Sequence, residues 1–255
     1  MIPLPPEILD HTVDFLYTNP KALKECCLVS KSWIPRTRKH LFAKITFYTE
    51  WRLESWRRTF PDPSTSPGYY TKFLSIGCPY AVTAADAEPG GWIRGFSRAT
   101  HLGVDNDMII ADELTTFLIP FHGFSPSLTS LHVDFTSLPS SRTFDLILSF
   151  PLLEDLKVVA YFASIDNGDD PDGLPTLVQP SSPPKFTGSL ELYMRGGAEL
   201  IARRLCSLSN GIHFRKLVIT WNHEQDISMT MALVERCSHT LESIQVTCDA
   251  LGMSI

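Results

Sequence analysis

LTSLHV, residues 128–133, carries the pattern on which most of this chain is built: an anchor, an aliphatic residue three positions on, and another two beyond that. The same cadence returns on both sides, as FAKITF (42–47), TKFLSI (71–76) and ATHLGV (99–104) before it. LEDLKV (153–158), TGSLEL (187–192), FRKLVI (214–219) and LESIQV (241–246) follow it. Two-residue alternation places the last two apolar residues of each unit on one face of a strand. The middle residues fall at 45, 74, 102, 131, 156, 190, 217 and 244, so the steps are 29, 28, 29, 25, 34, 27 and 27.

Apolar stripes at helical spacing fill several of the gaps. Met108, Ile109, Leu114, Phe117 and Leu118 follow the third strand, and Phe144, Ile147 and Leu148 precede Pro151. Leu200, Ile201, Arg204, Leu205 and Leu208 form a third stripe, and Ile227, Met231 and Val234 a fourth, behind Asp226 as N-cap. These stripes are expected to face a core. A strand–helix unit repeating near 28 residues has the period of a leucine-rich repeat, in which each unit buries its open face on the next. No Asn or Cys recurs at a ladder position, so the repeats are degenerate. A polar terminal cap is expected on such an array. About seven residues follow the expected last strand, so a minimal cap or a truncated array is expected.

Ahead of the repeats, LPPEILDHTVDFLYTNPKALKECCLVSKSWIPRTRKHLF (4–42) holds three short amphipathic segments. Pro5 and Pro6 suit an opening helical turn, Thr18-Asn19-Pro20 restarts the pattern, and Ser32 is placed to cap a third helix. Three helices this short cannot bury their apolar faces on one another alone, so the module is expected to lean on a partner or on the rest of the chain.

Those residues resemble an F-box, in the form common in fungal proteins. Leu4-Pro5-x-Glu7-Ile8, the later Leu16 and Leu23, and Leu28-Val29-Ser30-Lys31-Ser32-Trp33 carry the resemblance. Ser30 departs from it, standing where many F-boxes have Cys. The resemblance implies docking onto the Skp adaptor subunit of a cullin-based ubiquitin ligase. Leu4, Pro5, Ile8, Leu16, Leu23, Leu28, Val29 and Trp33 match the family's apolar contact positions. The following cadence resembles the leucine-rich-repeat-like regions that often follow an F-box. The expected fold is therefore α/β: a three-helix F-box over 1–44, then a degenerate leucine-rich-repeat-like solenoid over 45–255 with a flexible insertion at 162–186.

Composition narrows the function classes. The 255 residues are 44% hydrophobic and 11% aromatic, which opposes disorder. No run of about 18 apolar residues is present, so no membrane span is expected. No basic region precedes a hydrophobic stretch at the N-terminus, so no secretory signal is expected either. Six cysteines without a CxxC pair fit buried thiols in a reducing, intracellular setting. Residues 1–50 carry seven Lys or Arg against five Asp or Glu, whereas the rest carry 15 against 23. An acidic body of this kind argues against nucleic-acid binding. The basic group Arg36, Arg38, Lys39 and Lys44 reads as a solvated face.

Phosphate-binding loops, nucleophile elbows and zinc motifs are missing; His223-Glu224 lacks a second His, and the acids of 166–172 lack calcium-loop spacing. No enzyme activity, cofactor or metal is expected. The expected function is a substrate receptor that docks the Skp adaptor, and through it cullin, and holds a protein target on the repeats. Asp105, His132 and Asp134 are strand positions available to that target by alternation. The alternative is a scaffold protein outside any ligase, whose F-box binds the adaptor or packs on its own repeats.

Overall fold

The computed structural model describes residues 5–78, 81–106, 119–122, 124–138, 140–163, 184–194, 198–221 and 226–248. The chain is mixed α/β. Three helices open it: α1 (Pro6–Phe15), α2 (Pro20–Val29) and α3 (Ile34–Leu41). Eight strands follow: β1 (Lys44–Phe47), β2 (Phe73–Ile76), β3 (His101–Asn106), β4 (Ser130–Leu138), β5 (Asp155–Ala163), β6 (Ser189–Met194), β7 (Lys216–Trp221) and β8 (Ser243–Cys248). They form one all-parallel sheet in sequential order. Parallel neighbours need a crossover between them. The described crossovers carry α4 (Glu50–Thr59), α5 (Ser140–Leu148), α6 (Ala198–Cys206) and α7 (Asp226–Cys237). Short 3₁₀ turns at Pro67–Tyr70, Ala84–Ala87 and Trp92–Phe96 serve the early units.

The cadence sets the register. Ile45, Leu74, Leu102, Leu131, Leu156, Leu190, Leu217 and Ile244 pair laterally as one row across all eight strands. Phe47, Ile76, Val104, Val133, Val158, Leu192, Ile219 and Val246 form a second. Both rows are buried in the first seven strands. A one-residue slip in any strand would turn its apolar pair away from the core, so the alternation itself specifies the pairing. α6 packs on β5 and β6, and α7 on β7 and on α6. At the β1 end the core is aromatic, with Phe47, Trp56, Trp92 and Phe96 in contact at centroid distances of 5.5–6.2 Å.

Between strands the units are tied by main-chain bonds just ahead of each strand. The N–H groups of Lys72 and Phe73 donate to the Ala43 carbonyl at 2.8 and 3.0 Å. Thr100 and His101 repeat this on Lys72, Thr129 and Ser130 on Thr100, and Glu154 and Asp155 on Thr129. Arg215 and Lys216 do so on Gly188, and Glu242 and Ser243 on Arg215. At the widest step only Gly188 N–H reaches the Glu154 carbonyl, at 3.2 Å. The Asp155 carboxylate supplies the other acceptor, taking Ser189 N–H and the Ser189 hydroxyl at 2.7 Å each. Polar anchors join in: the buried Thr71 hydroxyl donates to the Phe42 carbonyl at 2.9 Å.

Several sequence expectations change. Ser32 does not cap α3. A 3₁₀ turn at Lys31–Trp33 precedes that helix, and Ser30 caps the turn by accepting Ser32 N–H at 3.3 Å. Ile227 and Met231 do not face the core but are exposed; Met229, Leu233 and Cys237 form the buried stripe of α7 instead. Both stripes have helical spacing, and packing against β7 selects the second. The insertion is shorter than 162–186 at both ends: β5 runs through Phe162 and Ala163, and Phe186 is fully buried against Phe214. Lys44, assigned to the N-terminal module, opens β1. Residues 61–70, between α4 and β2, are packed at Ser66, Pro67 and Gly68, which are buried. The apolar stripe at 108–118 and the body of the insertion lie outside the described residues.

A Cβ at Gly188 would stand 2.4 Å from the Asp155 carboxylate. Gly188→Ala is therefore expected to displace that acceptor and destabilise the chain by about 1–3 kcal/mol. Leu190→Ala, one position from the same joint, is expected to cost about 2–5 kcal/mol through a cavity. Denaturant unfolding of both variants against the parent chain checks the pair.

Candidate docking surfaces

The N-terminal helices are set by local signals. Pro6 and Pro20 occupy opening positions of α1 and α2, where a missing N–H costs nothing. Asn19 caps α2, accepting Ala22 N–H at 3.1 Å. Both α1 and α2 pack on α3, with Val13, Leu23, Cys26 and Thr37 buried between them. Thr37 donates to the Trp33 carbonyl at 2.6 Å and receives the Cys27 thiol at 3.1 Å. α3 also touches the packed Pro67–Tyr70 turn, so the module is joined to the sheet domain.

Asp14 holds α1 to α3. It accepts Arg36 Nε at 2.6 Å, a second bond from Arg36 Nη2, and lies 2.7 Å from His40 Nε2. The Arg36 guanidinium, with help from His40, holds the Asp14 carboxyl far below the usual carboxylate range. Arg36 is thus committed within the module, while Arg38, Lys39 and Lys44 are exposed.

Of the eight expected partner-contact residues, three are large apolar side chains left in solvent. Ile8 is 51% exposed, Leu28 87% and Val29 68%. Pro5 is also exposed, and Leu16 and Trp33 are half-buried. Leu23 faces inward and serves the interior of the module. Leu4 lies outside the described residues. Phe15 and Tyr17 are exposed as well and went unread in the sequence. The signal was available for Phe15, which lies off the helical face that carries Leu9, Val13 and Leu16, while Tyr17 follows the end of α1.

A second surface is the sheet face opposite the two apolar rows. Lateral neighbours Gly103, His132, Lys157 and Glu191 cross its centre. Lys157 Nζ lies 3.6 Å from Glu191 and 5.3 Å from the Tyr193 ring. Phe73 stacks on His101 at 4.1 Å. Asp105 is exposed, whereas His132 and Asp134 are half-buried. Burial, reinforced by the Lys157 charge and opposed by Glu191, lowers the His132 pKa below 6.5. Burial lowers that of His101 also, against the opposing charge of Asp155.

Among the described residues no group of three His, Cys, Asp or Glu side chains is arranged to hold a metal ion, and no helix is long and apolar enough to cross a membrane. Burial pushes the Cys78 thiol up to about 11, so it stays protonated. No protein-family model matches the chain, and no curated protein matches it.

Asp14→Asn is expected to loosen α1 from α3 at a cost of about 1 kcal/mol, screened by solvent, since the pair is one-third exposed. The Asp14 contribution is present above the ordinary carboxylate pKa and lost as pH falls through its depressed value, so the variant's deficit shrinks in strong acid. His101 and His132 add a separate loss at milder pH. Their folded pKa values lie below 6.5, so their contribution is complete above that value and declines as pH falls through it. Thermal melts from pH 8 to pH 5 should show this decline, and His132→Gln should reduce it.

Proposed function

We propose that the chain is the substrate-receptor subunit of a Skp–cullin–F-box ubiquitin ligase. In this reading α1–α3 are the F-box and dock the Skp adaptor. The parallel-sheet domain is a degenerate leucine-rich-repeat-like solenoid that holds a protein target. The observation that carries the reading is the exposure of Ile8, Leu28 and Val29 on helices whose other faces are packed. Large apolar side chains held out to water on a formed helix support partner docking over packing on the chain's own strands.

The receptor performs no chemistry. It raises the concentration of its target beside the transferring enzyme, a gain set by geometry and linkage. The direct path from α3 into β1, across Phe42 and Ala43, favours such a role, because a short junction fixes a target relative to the adaptor. On the open sheet face, the polar row around His132, Lys157 and Glu191 is the part available to a target.

Co-purification with a recombinant Skp adaptor tests the proposal. The parent chain should form a stoichiometric complex. Ile8→Ala, Leu28→Ala and Val29→Ala each remove about 1–2 kcal/mol of apolar burial, so the triple variant should bind about 100-fold more weakly or worse. All three side chains are exposed, so folding should survive the changes. Folded parent chain that fails to bind the adaptor overturns the proposal. Adaptor binding without cullin recruitment would move the chain to the scaffold reading.

A further inference from the structure

β8 breaks the burial pattern of the other seven strands. Ile244 and Val246 continue the two apolar rows, yet they are 48% and 46% exposed, while their neighbours Leu217 and Ile219 are fully buried. Among the described residues no strand pairs with the outer edge of β8. The edge also lacks protection. Ser243–Cys248 reads SIQVTC, with no charge and no proline, whereas exposed edges are ordinarily blunted by one or the other.

We propose that β8 is a self-association edge: two copies of the chain pair β8 against β8, antiparallel, about a two-fold axis at Gln245. Three observations select a second copy. First, the strand is self-complementary in this register. Ile244 falls opposite Val246 of the second copy on the core-facing side, and Ser243 falls opposite Thr247 on the other. Second, no like charges meet, because Glu242 falls opposite Cys248. Third, the other end of the sheet offers no matching surface. Ile45 and Phe47 of β1 are buried beneath α4 and the Trp56, Trp92 and Phe96 rings. A head-to-tail stack would need two complementary end faces and would grow without limit. Among the described residues the two apolar rows are uncovered at the β8 end alone, so the contact is isologous and closes at two copies.

One strand pair and its apolar side chains form a small interface, so the dimer dissociates on dilution. Seven strand spacings of about 4.8 Å separate β8 from β1. The pair therefore leaves the helices preceding β1 free at its two far ends. If those helices dock an adaptor as proposed above, the dimer carries two docking modules and two target faces.

Sedimentation velocity over a concentration series of the full chain tests this directly. The parent chain should pass from monomer to dimer as concentration rises, and Val246→Lys should stay monomeric with an unchanged far-ultraviolet spectrum. Gln245→Cys, at an exposed site on the axis, should give a disulfide-linked dimer under mild oxidation, in excess of any formed through the native cysteines. That crosslink decides the matter should Val246→Lys fail to fold. A parent chain that stays monomeric at every concentration overturns the proposal, as does a folded Val246→Lys that dimerises like the parent. Slow hydrogen exchange, in a monomer, of those β8 amides that point away from β7 overturns it too, by showing the outer edge to be covered within one chain.

Discussion

Each strand of this chain presents two apolar residues that it cannot cover alone, and the next strand in sequence covers them. Everything else is arranged around that dependence. The lateral rows from Leu74 to Leu217 and from Ile76 to Ile219 are buried because a neighbour stands on both sides. The main-chain bonds ahead of each strand, beginning with those on the Ala43 carbonyl, fix how far apart neighbours stand and where each starts. Stability is then shared between adjacent units, and the two ends are where the balance differs. At β1 the end is closed by α4 and a group of aromatic rings. At β8 the same two positions lie in solvent.

The joint between β5 and β6 shows how the array absorbs an irregular step. Thirty-four residues separate Leu156 from Leu190, yet they pair in register like any other neighbours. Asp155 and Gly188 make this possible. The carboxylate replaces a main-chain acceptor, and the missing Cβ gives it room. Phe186, at a positive φ and fully buried, returns the chain to the core immediately before the strand. Past that joint the lateral pairing of β5 with β6 resumes at Leu156 and Leu190.

The helices before β1 follow a different logic. Their interior is small, held by Val13, Leu23, Cys26 and Thr37 and by the grip of Arg36 on Asp14. That economy leaves Ile8, Leu28 and Val29 in water, where they add nothing to the stability of the module itself. A surface that is apolar without serving the fold is the physical basis of the docking role proposed for it.

Strand positions, their order and the lateral rows were legible in the sequence, because a two-residue alternation repeated near 28 residues admits one pairing that buries both apolar positions. The exposed apolar residues of the N-terminal helices were partly legible: Ile8, Leu28 and Val29 stood out by type and position, while Leu23, of the same type, turned inward. Period alone could not separate these, nor choose between the Ile227/Met231 and Met229/Leu233/Cys237 stripes of α7. Both stripes have helical spacing, and only the direction from which β7 and α6 approach decides which is buried. The same holds for Ser30 over Ser32 as a cap, which depends on a 3₁₀ turn closing before α3 begins. The uncovered rows at β8 are likewise tertiary. LESIQV reads like every other unit, and only its place at the edge of the sheet leaves it exposed. The sequence by itself determined which residues are apolar and at what period; the tertiary structure decided which of them find a neighbour, because burial belongs to the pair and not to the residue.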